Sequence, residues 1–184
     1  MSNYGHFVLH YVVNVRILSS DRRNEELKRK PPTETNMESW RMVWRDGFAP
    51  VLSTTGLCAL RDALRGDDHR LTQGSTTTPP PLLCVQDWPV EGACALGFCG
   101  WHGDGLESVG EVEEFFAKCC FEADNRLGEP AACRWFLNWF DDTPRDDMRR
   151  DLLSEVEQAL AERVPEVDED EFEIDLPLRH VAAA

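Results

Sequence analysis

Long apolar stretches, basic side chains and complete catalytic motifs are what this 184-residue sequence has least of. The apolar run from Phe7 to Leu18 is broken by His10, Asn14 and Arg16, and it falls well short of the ~20 residues that cross a bilayer. No basic segment precedes it and no small-residue cleavage site follows, so it lacks the layout of a secretory signal. Lys and Arg number 19 against 34 Asp and Glu, a formal net charge of −15. Nucleic-acid backbones are held by Lys and Arg patches that displace counterions, so this balance argues against DNA or RNA as a partner. It favours a basic protein partner. Neither a dinucleotide nor a phosphate-binding glycine motif is present, and no segment repeats.

What is there suits one domain. A chain of this length with 42% hydrophobic residues can bury one proper core. Seven cysteines are an odd number, Cys119 and Cys120 are adjacent, and several fall on apolar helical positions rather than in a loop framework. That pattern predicts free thiols in a reducing compartment, hence a cytoplasmic protein. Residues 1–36 carry six basic and four acidic side chains, a balance of +2 that leaves −17 on the remainder. They read as an appendage, with Met37 or Met42 as alternative starts. Residues 37–164 are expected to form the helical domain and 165–184 an acidic, flexible tail.

Within the domain, Leu57, Leu60 and Leu64 recur at helical spacing after Thr54 or Thr55, and Gly66 ends the pattern. Residues 67–82, with three consecutive prolines, predict a loop. Asp87 and Pro89 look like the opening of a turn-rich helix through VEGACALGFCGW, which its glycines weaken. Ser108 and Glu111 fit a capping box ahead of Val109, Val112, Phe116, Cys119, Ala123 and Leu127, with Gly128 as the stop. Pro130 is placed in the first turn of a helix bearing Ala132, Trp135, Phe136, Trp139 and Phe140 on a broad aromatic face. A last helix is expected from Thr143-Pro144, with Asp146 in capping position and Met148, Leu152, Val156 and Leu160 on one side, ending near Val164. Short connections predict that these three helices pack up and down. The fold class is therefore mainly α, a small single-domain helical bundle with irregular Gly/Pro-rich loops.

Candidate chemistry concentrates between Cys84 and Asp104. In order, Cys94, Cys99, His102 and Cys133 resemble the Cys-x4-Cys-x2-Cys…Cys run of plant-type two-iron, two-sulfur ferredoxins, with histidine in the third place. Cys84 is an alternative fourth ligand for a tetrahedral zinc. A helix through residues 94–99 would turn ~500° between the two thiols and aim them ~140° apart, which forbids joint chelation. Cys99, His102 and Asp104 are the nearest approach to a thiol nucleophile with its base and orienting acid. Buried packing thiols and a plain glycine turn account for the same residues. Asp141, Asp142, Asp146 and Asp147 suit the positive end of the last helix without any cation. The aromatic set, with Trp88 and Trp101, reads as core rather than a ligand pocket.

The tail alternates acid and apolar residues, and Glu166, Asp168, Glu169, Asp170, Glu171, Phe172 and Ile174 form a candidate linear partner-binding motif. A non-enzymatic protein–protein interaction module is the leading expectation, with no cofactor. A zinc or iron–sulfur protein built on the Cys84–His102 region and a small Cys/His/Asp enzyme are the alternatives.

Overall fold

The computed structural model describes residues 35–81 and 85–163; the acidic tail motif, Cys84 and most of residues 1–36 lie outside that range. Six α-helices and a two-stranded antiparallel pair are found among the described residues, in keeping with the expected mainly α class. No helix there is long and apolar enough to cross a membrane.

The chain enters through α1 (Thr35–Met42), which widens into a π-helical turn (Val43–Phe48) and a 3-10 turn (Ala49–Val51). Trp40, Trp44 and Phe48 on this segment are sealed from solvent and meet α5 (Cys133–Asp142). Trp40 stacks on Trp139 at 3.5 Å, and Phe136 receives Trp44 at 5.4 Å and the edge of Phe48 at 5.2 Å. Such ring pairs contribute beyond their buried area, so this aromatic cluster joins the first helical segment to α5. Phe136 and Phe140 are buried as the aromatic reading expects, Trp139 is half-buried, but Trp135 is 44% exposed.

Ser53, not Thr54 or Thr55, caps α2 (Thr54–Gly66), its hydroxyl accepting from Gly56 N at 2.9 Å. Leu57, Leu60 and Leu64 are buried and Asp67 closes the helix in the left-handed region. α4 (Val109–Leu127) opens on the expected reciprocal Ser108/Glu111 box and stops at Gly128 with φ 65°. It packs on the Val43–Phe48 turn, where Gly47 leaves room for Ala123.

Pro130 does not begin α5. Asp124 accepts from Ala131 N and Cys133 N, Ala131 takes a positive φ of 63°, and the helix starts only at Cys133. α6 (Arg145–Ala161) likewise opens without a capping box, Pro144 standing at the cap with no side-chain bond, and it ends before Val164. Consecutive helices are not the main partners: α6 lies chiefly along α2. Side chains fix that pairing. Arg149 donates to Leu64 O at the carbonyl end of α2, and Arg145 to Asp68 O and Leu71 O in the turn that follows it. Glu155, 4% exposed, is held by Arg41 at 3.0 Å and by Arg45 at 2.5 and 2.8 Å, tying α6 to the first helical segment.

The polyproline loop is ordered by pairing. β1 (Thr77–Thr78) and β2 (Gly92–Ala93) run antiparallel, with Thr77 opposite Ala93, and the Thr78-Pro79 peptide is cis. The helix expected from Asp87 begins only after Cys94: α3 (Ala95–Phe98) runs into a second π-helical turn, Cys99–Gly103, whose glycines relax the backbone.

That turn crosses α2 at its first residues. A Cβ on Gly103 would lie 2.2 Å from Gly56 Cα and 2.4 Å from Gly56 N, so only glycine fits. Gly103→Ala should destabilise the fold by about 1–3 kcal/mol, read as a lowered urea midpoint, whereas Gly66→Ala, with open space around it, should be neutral or stabilising.

Candidate functional site

The thiols divide into two buried neighbourhoods. Cys94 stands at the N-cap of α3 and Cys99 just past its end, and both are buried beside Cys119. Cys120 and Cys133 share the second, linked by a side-chain hydrogen bond. Burial pushes the Cys99 and Cys120 thiols well above their ordinary range and raises Cys119 to about 12. A thiol held protonated by burial is not a ready nucleophile. Cys58 is partly exposed.

The structure does not bring Cys99, His102 and Asp104 together in one pocket. Cys99 is fully buried, whereas His102 and Asp104 are exposed on the turn that follows. Asp104 accepts from Ser53 Oγ at 2.6 Å and so braces the cap of α2. His102 lies on Phe98 at 4.6 Å and Trp101 at 4.1 Å; desolvation, then the Arg70 charge, hold its pKa below the ordinary value. Among the described residues no three His, Cys, Asp or Glu side chains group as metal ligands. Cys84, the alternative fourth ligand, is outside that range.

His102 and Phe98 form one wall of an open cleft of about 760 Å³, with Ala59, Ala63 and Gly66 of α2 as its floor. Its carboxylates are already matched. Asp62 pairs with Arg61 at 2.9 Å, Asp67 with Arg145 at 2.9 Å, and Asp68 with Arg70 at 2.6 Å. The Arg70 guanidinium, itself over the Trp101 ring at 5.5 Å, lowers Asp68 from an ordinary 3.8 to about 2. Nucleophilic Cys, Ser and Thr do not line this cleft. Its charge is spent on holding the Asp67–Arg70 turn.

A different surface has charge to spare. Residues 86–89 are an exposed flap between buried Val85 and Val90, and Trp88 at its tip is 55% exposed. The flap is pinned to the start of α4: Gly110 N donates to Gln86 O, Val109 N to Trp88 O, and Val90 N to Glu107 O, at 2.8–3.0 Å. Gly110 allows this, because a Cβ there would approach Gln86 O to 3.2 Å. Asp87 precedes Trp88 in the chain, Glu107 lies opposite Val90 in the pairing, and Glu91 follows Val90 where its N–H turns to Thr78 O. All three carboxylates are exposed, and none has a side-chain hydrogen bond or ion pair among the described residues. Glu111, by contrast, is consumed by Ser108 and Glu107 N, which lower its pKa.

Sequence reasoning placed Trp88 with the core aromatics and Asp87-Pro89 at a helix start, and so passed over this surface. One signal was present: no Lys or Arg occurs between Arg70 and Lys118, a stretch holding seven Asp and Glu. No protein-family model matches this chain, and neither a curated protein nor a solved structure does.

Two measurements check the electrostatics. Iodoacetamide at neutral pH should label Cys58 and spare Cys99, Cys119 and Cys120 until denaturant is added, as followed by peptide mass spectrometry. Because the folded pKa of Asp68 is depressed, its stabilisation is complete above the unfolded value and is lost as pH falls from 3.8 towards 2. Asp68→Asn should therefore lower stability at neutral pH and flatten the acid limb of a stability–pH curve.

Proposed function

We propose that this chain is a non-enzymatic protein-interaction module whose partner is basic. The observation that supports the reading best is exposed Trp88 on a stretch of 47 residues, 71 to 117, that has no Lys or Arg and whose Asp87, Glu91 and Glu107 have no side-chain partner among the described residues. A partly exposed tryptophan is the side chain most often found at the energetic centre of protein interfaces. Carboxylates without local counter-ions steer a cationic partner and reject anionic ones.

Phe121 and Trp135, 50% and 44% exposed, are secondary apolar contacts of the same kind. The acidic tail from Glu166 to Ile174 supplies a second acidic element, so the full chain presents two regions of the same sign. Buried, protonated thiols and matched charges in the His102 cleft fit a scaffold better than a reaction centre.

Affinity capture compares the full chain with Trp88→Ser, Trp135→Ser and a chain lacking residues 166–177. The captured proteins should be predominantly basic and should elute as salt rises through the range where the Debye length falls below ~8 Å. They should be lost with Trp88→Ser while its melting temperature stays within a degree or two. A captured set with no charge bias, indifferent to salt and to all three changes, would overturn the interaction reading.

A further inference from the structure

We infer that the Trp88 flap is a docking site for an arginine-bearing segment of the partner, the guanidinium lying on the indole face with Asp87, Glu91 and Glu107 around it. This rests on the interaction reading above and assigns it a place and a side chain.

Three features of the molecule converge on that occupant. The indole is exposed yet rigidly carried, because the flap is held at Gln86, Trp88 and Val90 by backbone bonds to residues 107–110 and anchored by buried Val85 and Val90. Asp87, Glu91 and Glu107 have no side-chain partner among the described residues, whereas Asp62, Asp67, Asp68, Glu155 and Glu157 hold arginines. The protein also uses the same chemistry internally twice: Arg41 lies over Trp40 at 4.7 Å and Arg70 over Trp101 at 5.5 Å, each with a carboxylate on its guanidinium. Trp88 offers an exposed ring of the same kind, with Asp87 beside it in the chain and Glu91 and Glu107 on the adjoining backbone.

Arginine fits better than lysine on physical grounds. Its planar, weakly hydrated guanidinium stacks on an aromatic face while its N–H groups reach carboxylates at the ring's edge; an ammonium gives up more hydration to do so. A phosphorylated or acidic partner is repelled by the same three carboxylates.

The test labels the six tryptophans of the full chain with 5-fluorotryptophan, identifies the Trp88 resonance by its loss in Trp88→Ser, and titrates with hexa-arginine amide, hexa-lysine amide and a Gly-Ser hexapeptide. The expected result is a saturable shift of Trp88 alone with hexa-arginine, severalfold weaker binding of hexa-lysine, and no response to the neutral peptide. Affinity for hexa-arginine should fall about tenfold or more in Trp88→Ser. In Asp87→Asn/Glu91→Gln/Glu107→Gln, which keeps the indole, it should fall severalfold with a shallower salt dependence. These residues are exposed, so the variants remain folded, and unchanged circular dichroism confirms it.

Hexa-arginine binding that leaves Trp88 unmoved and survives both variants would overturn the site while leaving a basic partner in place. Absence of binding to either cationic peptide at low salt would overturn both readings. If instead Arg22, Arg23, Lys28, Arg29 and Lys30→Gln shifts the Trp88 resonance with no peptide present, the occupant is this chain's own arm and the partner assignment fails.

Discussion

The backbone contact between Gly56 and Gly103 is the constraint from which the placement of the flap follows. It seats the Cys99–Gly103 turn on the first residues of α2, and Ser53 secures the join, accepting from Gly56 N while donating to Asp104. With Gly103 fixed, Leu106 N reaches back to Gly100 O, and the next residues are delivered to the start of α4 in one register. Glu107 to Gly110 then bind residues 86–90 and hold Trp88 outward. An exposed indole on a free loop would lose conformational entropy on binding; here that entropy is given up during folding, which is what pre-organisation means for an interface.

Helices with strong local signals were legible from sequence. Ser108/Glu111 and Gly128 delimit α4 because their chemistry is local: a hydroxyl and a carboxylate three residues apart, and a residue free to take φ 65°. The Leu57, Leu60, Leu64 spacing finds α2, although its cap is one residue earlier than the adjacent threonines suggest. Where the backbone departs from the 3.6 period the reading fails. Val43–Phe48 and Cys99–Gly103 are π-helical, imposed by packing of Trp44 and Phe48 and by the Gly56 contact. Pro130 misleads for a similar reason: buried Asp124 captures two backbone N–H groups beyond it and delays α5. The up-and-down order expected from short loops yields to arginine caps and the Glu155 clamp, contacts between residues about a hundred positions apart.

The candidate site was less legible than the fold, because neighbours in sequence need not be neighbours in the fold. Cysteine, histidine and aspartate crowd within residues 94–104, yet folding sends Cys99 inward and turns His102 and Asp104 to the surface. Cys94 at the start of α3 and Cys99 at its end act as small apolar residues against Cys119, a role that thiols fill at little cost when they stay protonated. The informative pattern was an absence spread over 47 residues, with no cation between Arg70 and Lys118, which no short motif expresses.

Charge pairing explains why that absence matters more than the overall excess of acid. A net charge of −15 by itself signifies solubility and general repulsion of anions. On the folded body, however, Arg41, Arg65 and Arg145 pair with carboxylates across the seams between α6 and the α1 and α2 segments. The half built from β1, the flap, β2 and the start of α4 is joined by backbone bonds and glycine contacts and needs no ion pairs to hold it. Of its carboxylates, Glu111 caps α4 and Glu113 accepts from Thr77, while Asp87, Glu91 and Glu107 have no side-chain partner among the described residues. Arginines hold the carboxylates at the α1–α6 and α2–α6 seams, and no described arginine reaches Asp87, Glu91 or Glu107.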